Sequence, residues 1–151
     1  RGRQIQGYVH DQGAAMYGGV AGHAGLFGTA NDLAVVLQLL LNKGTYGDVT
    51  LMGPETIEAF TKRQSTRSRR GWGWDKPEPE KGKGGSVSKL APKSTFGHTG
   101  FTGTSMWADP ENKLTYIFLS NRIYPIATNN TLLDLGTRTK IHDLIYESLG
   151  K

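Results

Sequence analysis

The chain has 151 residues, a net charge of +5, no cysteine and 21 glycines. That length suits one domain around one core, and the missing cysteines remove disulfides, thiol catalysis and zinc–thiolate sites together. No apolar run approaches the roughly 18 residues of a membrane-spanning helix, and the glycine excess favours turns and sites over long regular elements.

Residues 1–30 read as irregular. Eight glycines fall between Gly2 and Gly28, and such a segment persists only by packing on something or shaping a site. His10-Asp11 and His23 lie here. Their spacing matches no metal-ligand motif, so no metal is expected; a structural histidine bonded to backbone is the alternative adopted. Thr29-Ala30-Asn31-Asp32 opens the clearest helix, with Thr29 or Asn31 as cap. Leu33, Val36, Leu37 and Leu40 form its stripe, Val35, Leu39 and Leu41 widen it, and Asn42-Lys43-Gly44 stops it. Gly53-Pro54 starts a second helix with Ile57 and Phe60 on its apolar edge. Gly71-Trp72-Gly73-Trp74-Asp75 alternates small and aromatic residues as a short strand would, and residues 76–94 read as a long surface loop.

Charge is concentrated in residues 62–93, where ten Lys/Arg face only Asp75, Glu78 and Glu80. Such a block could bind a polyanion. It lacks the interleaved aromatics of a single-strand platform, so a solvated loop is expected and no nucleic-acid partner.

The densest chemistry lies in Phe96-Gly97-His98-Thr99-Gly100-Phe101-Thr102-Gly103-Thr104-Ser105. Glycines in a strand pattern mark a bulge or a close approach by a ligand. Hydroxyls and an imidazole beside bare backbone can hold an anion or an acyl group, and a tightly packed Gly/Thr edge strand is the equal alternative. Residues 96–108 pair with Leu114–Ser120 across Asp109-Pro110 as a hairpin, the second strand apolar on both faces and therefore central. A closing helix carries Ile141, Leu144, Ile145 and Leu149 as its stripe, with Arg138 and His142 as surface or packing residues. The fold class is α+β, an antiparallel sheet flanked by helices. Three strands make a thin sheet for these helices.

Val9-His10-Asp11, the run Gly18 to Phe27, and Thr29 to Ala34 resemble the β-lactamase-related serine hydrolases. That family includes class C β-lactamases, penicillin-binding D-alanyl-D-alanine carboxypeptidases and related esterases. Phe96 to Thr104 resembles the family's third motif, Lys/His-Thr/Ser-Gly with Gly-Thr shortly after. The closing helix, Arg138 to Tyr146, resembles a bacterial subgroup often fused behind a family-3 glycoside hydrolase of β-N-acetylglucosaminidase type. The resemblance implies a partial β-lactamase/transpeptidase-like fold without a cofactor, in a periplasmic or other extracytoplasmic bacterial setting.

The family's nucleophile motif Ser-x-x-Lys and its Tyr-x-Asn or Ser-x-Asn motif are expected N-terminal to Arg1, so residues 1–151 read as the C-terminal part of one domain. The one Ser-x-x-Lys present, Ser86-Val87-Ser88-Lys89, precedes the third motif in a loop and reads as a decoy. By the same resemblance the Phe101 N–H belongs to the oxyanion hole, and His98, standing where many relatives carry lysine, would supply a polar or partly positive wall and could orient a substrate carboxylate. Thr99 would bond a substrate carboxylate, Gly100 would leave room for the acyl group, and His23 would line the rim of the cleft. The implied activity is a serine hydrolase working through an acyl-enzyme on an amide or ester, with a cell-wall peptide or related acyl compound as substrate and the isolated chain inactive. The alternative is a degenerate, non-catalytic module attached to a glycosidase. The expected partners are the rest of the domain and a small acyl or peptide substrate, with self-association through an exposed sheet edge.

Overall fold

A computed structural model of the chain describes residues 4–80 and 85–151; the lysines at 81 and 83 of the basic block lie outside them. The element order is α1 (Gln12–Met16), α2 (Ala30–Leu41), β1 (Thr45–Tyr46), β2 (Val49–Thr50), α3 (Pro54–Thr61), β3 (Phe96–Thr99), β4 (Ser105–Asp109), β5 (Leu114–Phe118), α4 (Thr131–Asp134) and α5 (Thr137–Ser148). The class is α+β, as read from the sequence. The main sheet is an antiparallel meander in the order β3-β4-β5, and β1-β2 is a separate two-stranded ribbon. No helix among the described residues is long and apolar enough to cross a membrane.

Helix α2 starts where its sequence says. Thr29 accepts from the Asp32 N–H, and Asp32 returns a bond to the Thr29 N–H at 2.7 Å, a complete capping box. Thr29→Ala is expected to cost about 1 kcal/mol, read as a lower midpoint in urea. The face that packs is narrower than the apolar pattern suggests. Leu37, Leu39 and Leu40 join Ile57, Phe96 and Ala108 in one core cluster, while Val35 and Val36 stay exposed. Helix α3 begins at Pro54 as expected, with Ile57 buried and Phe60 edge-on to Trp72 at 5.5 Å.

Several expectations are corrected. Gly71–Asp75 is not a strand: only Asp75 bridges Gly97, through two backbone bonds of 2.7 and 3.0 Å. The aromatics there pack instead of pairing, Trp74 lying edge-on to Phe96 at 5.3 Å. The described parts of 76–94 form no helix or strand, yet they are not all surface. Val87 enters the second core cluster, and Ser88 and Lys76 are buried. Lys76 Nζ donates to the Ser94 and Thr95 carbonyls, and burial pulls this ammonium down to about 8.

The run 96–108 is two strands, broken at Gly100–Thr104, so β4 is central and β5 lies at an edge among the described residues. The short helix α1 also interrupts the segment read as irregular; Asp11 caps it by accepting from the Ala14 N–H at 2.8 Å.

Helix α5 packs through a stripe one residue away from the apolar one. His142 and Tyr146 are buried, and Ile141, Leu144 and Leu149 are exposed. The cause is aromatic and polar complementarity. His142 lies between Tyr116 and Tyr146, at 4.3 and 5.0 Å, and Tyr146 donates to Asp109 Oδ2 at 2.7 Å. His142 Nδ1 has no partner among the described residues, and burial pulls its imidazole down to about 4 although Asp143 and Asp109 act the other way. The unfolded chain therefore binds more protons than the folded one between pH 6.5 and 4, so stability falls as pH drops through that window, by about 3 kcal/mol. Urea midpoints compared between pH 7 and pH 4.5 are expected to show this loss, and His142→Phe is expected to flatten it.

Candidate active-site strand

Strand β3 is built around a glycine whose place leaves no room for a side chain. A Cβ on Gly97 would lie 2.6 Å from the Trp107 ring and overlap the Met106 carbonyl oxygen. The strand therefore sits close against β4, with His98 opposite Met106 and Thr99 opposite Ser105. Alternation places His98 on the face shared by Phe96 and Met106, the face covered by α2. Beyond Thr99 the chain turns. Gly100 N–H donates to the Thr104 carbonyl at 2.8 Å and Gly103 N–H to the Gly100 carbonyl at 3.0 Å. Gly103 takes φ +104°, and a Cβ there would strike Ser120. Gly100 has a packing reason of its own, since a Cβ would meet Thr104 Oγ1.

Phe101 projects from this turn and is 67% exposed. Its carbonyl accepts from Arg122 Nε at 2.8 Å, and its ring has the Arg122 guanidinium 4.6 Å from its centroid and the His10 ring stacked at 5.7 Å. Arg122 N–H donates to the Thr102 carbonyl at 2.9 Å, while its Nη1 reaches the Asn129 carbonyl and Asn130 Oδ1, both at 3.1 Å. One arginine thus ties the turn to the loop after β5. None of the bonds that hold the turn uses the Phe101 N–H. Nothing in the sequence pairs Arg122 or His10 with this turn; that signal is spatial.

His98 is held at both ring nitrogens, Nδ1 on the Thr99 carbonyl at 2.8 Å and Nε2 on Arg70 Nη1 at 2.7 Å. Arg70 comes from the basic segment, which is folded on itself. Arg69 grips Asp75 with two bonds of 2.6 and 2.9 Å and reaches Glu78 at 2.7 Å. Arg63 donates to the Ser68 and Thr66 carbonyls. Burial alone would raise the Asp75 carboxyl, but the Arg69 bonds hold it below the ordinary carboxylate range. The segment is thus an arginine-laced fold whose end touches the site strand.

The remaining sequence candidates are His23 and the Ser86–Lys89 run. His23 Nε2 bonds Asp11 Oδ1 at 2.9 Å, a carboxylate and not the backbone. The Ala14 N–H and His23 lower the Asp11 carboxyl. It is His10, next to Asp11, that contacts Phe101. Ser86 and Lys89 lie outside any helix, Ser86 beside Leu132, Leu133, Gly136 and Arg138, while Ser88 donates to Asp143. Among the described residues no group of three or more His, Asp or Glu could hold a metal ion.

The antiparallel meander, with helices on it, thus carries a His-Thr-Gly strand that runs into a clamped turn. Residues 2–137 match the Beta-lactamase family model, and the chain belongs to that family of β-lactamase-like serine hydrolases. It is 41% identical over 128 residues to a protein of Escherichia coli K12, covering 82% of this chain and 29% of that protein. It is 38% identical over 159 residues to one of Salmonella paratyphi B, covering 99% of this chain and 37% of that protein. Both relatives carry the name "Putative D-alanyl-D-alanine carboxypeptidase". The chain spans about a third of the length of these relatives. The fold also matches the crystal structure of a beta-lactamase from Mycobacterium bovis with a TM-score of 0.60 at 22% identity, over 83% of this chain and 46% of that one.

Proposed function

We propose that this chain is the oxyanion-strand part of a serine hydrolase that opens an amide or ester bond, with a cell-wall peptide ending in D-alanine, or a related acyl compound, as substrate. The observation that carries the reading is the clamped turn. It presents the Phe101 N–H directly after His98-Thr99-Gly100, with none of the bonds that hold it using that N–H. The nucleophile comes from a Ser-x-x-Lys and the proton relay from a Tyr-x-Asn in the rest of the protein. The serine oxygen attacks the carbonyl carbon, and the Phe101 N–H with the serine's own N–H stabilises the oxyanion, each by about 3 kcal/mol. The leaving amine or alcohol departs with a proton, and water then cleaves the acyl-enzyme. The work is done outside the cytoplasm, where that substrate lies.

The remainder of the domain packs against this chain. Met16, Leu26 and Phe27 stand at least 70% exposed, and β5 has an unpaired edge among the described residues. Such edges invite another strand, which in isolation becomes a second copy.

The test is acylation of the full-length gene product by a fluorescent penicillin, with turnover of nitrocefin and a p-nitrophenyl ester. Labelling is expected at full length and not with residues 1–151 alone. Turnover by residues 1–151, abolished by Ser86→Ala, would show that Ser86-x-x-Lys89 is the nucleophile motif after all. No labelling and no turnover at full length would leave a non-catalytic module.

A further inference from the structure

We propose that the cavity in the basic segment is a phosphate-binding site, where Arg63 and Arg67 hold the phosphate group of a small organic molecule. The cavity measures about 390 Å³, within the range of small-molecule sites. Its wall comes from the 63–70 loop and from 78–80, and carries four arginines against two glutamates. The loop is closed by its own bonds. Gln64 N–H donates to the Arg70 carbonyl at 3.1 Å. The Ser65 and Ser68 hydroxyls accept from the Arg67 and Arg70 N–H groups at 3.0 and 3.2 Å. Arg63 Nε and Nη2 donate to the Ser68 and Thr66 carbonyls, both at 2.8 Å. Those two oxygens, which would repel an anion, are thereby covered by a cation.

The charges of this wall are unevenly met. Arg69 is balanced by Asp75 and Glu78, and Arg70 is spent on His98. Glu80 is the remaining carboxylate of the wall. Arg63 has only neutral carbonyls as acceptors, and its Nη1 bonds nothing among the described residues. The Arg67 side chain makes no hydrogen bond or ion pair to the described residues, its backbone N–H alone being engaged. Clustered like charges cost stability, so a loop built only for its own stability gains nothing from a cation at 67. Two guanidiniums with N–H groups to spare, four residues apart on a stitched loop, match the oxygens of a phosphate dianion. The ligand set stops short of β3, and the site does not depend on the hydrolase reading.

The experiment melts the full-length gene product in sodium chloride and in sodium phosphate at matched ionic strength, and titrates it with inorganic phosphate by calorimetry. The wild-type Tm is expected to be higher in phosphate than in chloride. Arg67→Gln is expected to melt at or above the wild type in chloride, to gain nothing from phosphate, and to bind it about 10- to 100-fold more weakly. Arg67→Lys, which keeps the charge without the planar fork, is expected to fall between the two. Arg63→Gln also uncovers the 66 and 68 carbonyls, so Arg67 is the decisive position. Lys93→Gln removes one charge from the same basic block away from the cavity wall, and is expected to leave phosphate binding unchanged. Equal stabilisation by chloride, or equal losses in Arg67→Gln and Lys93→Gln, would mean diffuse charge and overturn the proposal. Phosphate is expected to leave the rate of penicillin labelling unchanged; competition would put the anion in the substrate cleft and reject a separate site. A protein that no penicillin labels fails the hydrolase reading and leaves the phosphate titration as decisive as before. Glycerol 3-phosphate is expected to bind at least as tightly as inorganic phosphate, and weaker binding rejects an organic phosphate as the ligand.

Discussion

Trp107→Ala is expected to lower the unfolding free energy by about 4 kcal/mol, within the range for removing a large buried aromatic, and urea unfolding followed by far-UV circular dichroism measures it. Trp107 is 1% exposed at the middle of the central strand, opposite Gly97 on one side and Tyr116 on the other. It gathers Val87, Tyr116, Phe118 and Ile145 into the cluster that joins the sheet to α5 and to the loop before β3. The Gly97 site makes the packing reciprocal. The indole occupies the space a side chain at 97 would need, so Gly97→Ala is expected to cost about 3 kcal/mol by overpacking. The double variant discriminates between the two obstacles at Gly97. Removing the indole relieves the ring contact and leaves the Met106 carbonyl in the way. Gly97→Ala therefore stays destabilising in the Trp107→Ala background, by less than in the parent. A midpoint unmoved by Trp107→Ala would reject this packing.

What could be read in advance was local. The start of α2 was legible because a capping box is a contract between residues three apart, and Pro54 announced α3 in the same way. The hairpin at Asp109-Pro110 was legible because Asp109 takes the N–H groups of Glu111 and Asn112 onto one carboxylate oxygen. What failed depended on distant partners. Gly71–Asp75 has the alternation of a strand, but Trp72 and Trp74 are spent on Phe60 and Phe96, leaving one residue to pair. The buried side of α5 was misread because a histidine between two tyrosines scores as polar in a pattern and packs as an aromatic. The run His98-Thr99-Gly100 is singled out in the sequence by its resemblance to the family's third motif. Arg70 and Arg122, which touch His98 and Phe101, carry no such mark, because nothing links them to the run until the chain folds.

Arg122→Ala is expected to reduce the single-turnover rate of acylation in the full-length protein by about 10- to 100-fold, with substrate KM changed far less. On the function proposed above, the Phe101 N–H is an oxyanion donor; such a donor acts only on the charge of the transition state, so misplacing it affects the rate constant and spares ground-state binding. The substitution leaves the backbone bond from residue 122 to the Thr102 carbonyl. It removes the Nε bond to the Phe101 carbonyl, the two Nη1 bonds into 129–130, and the guanidinium over the ring. The turn then keeps its two glycine bonds and the backbone bond at Thr102 but loses the side-chain clamp on the Phe101 carbonyl, so the Phe101 peptide is free to rock. Phe101→Ala separates the ring from the backbone. It gives up the contacts with His10 and Arg122 and keeps both the N–H and the carbonyl clamp, so its loss is expected to stay below tenfold. Arg122→Lys restores a cation without the planar fork and should fall between the two. Arg122→Ala acylating at the parent rate would mean that the Phe101 N–H is placed by the strand alone. A rise in KM larger than the fall in rate would move Arg122 from the oxyanion turn to substrate binding.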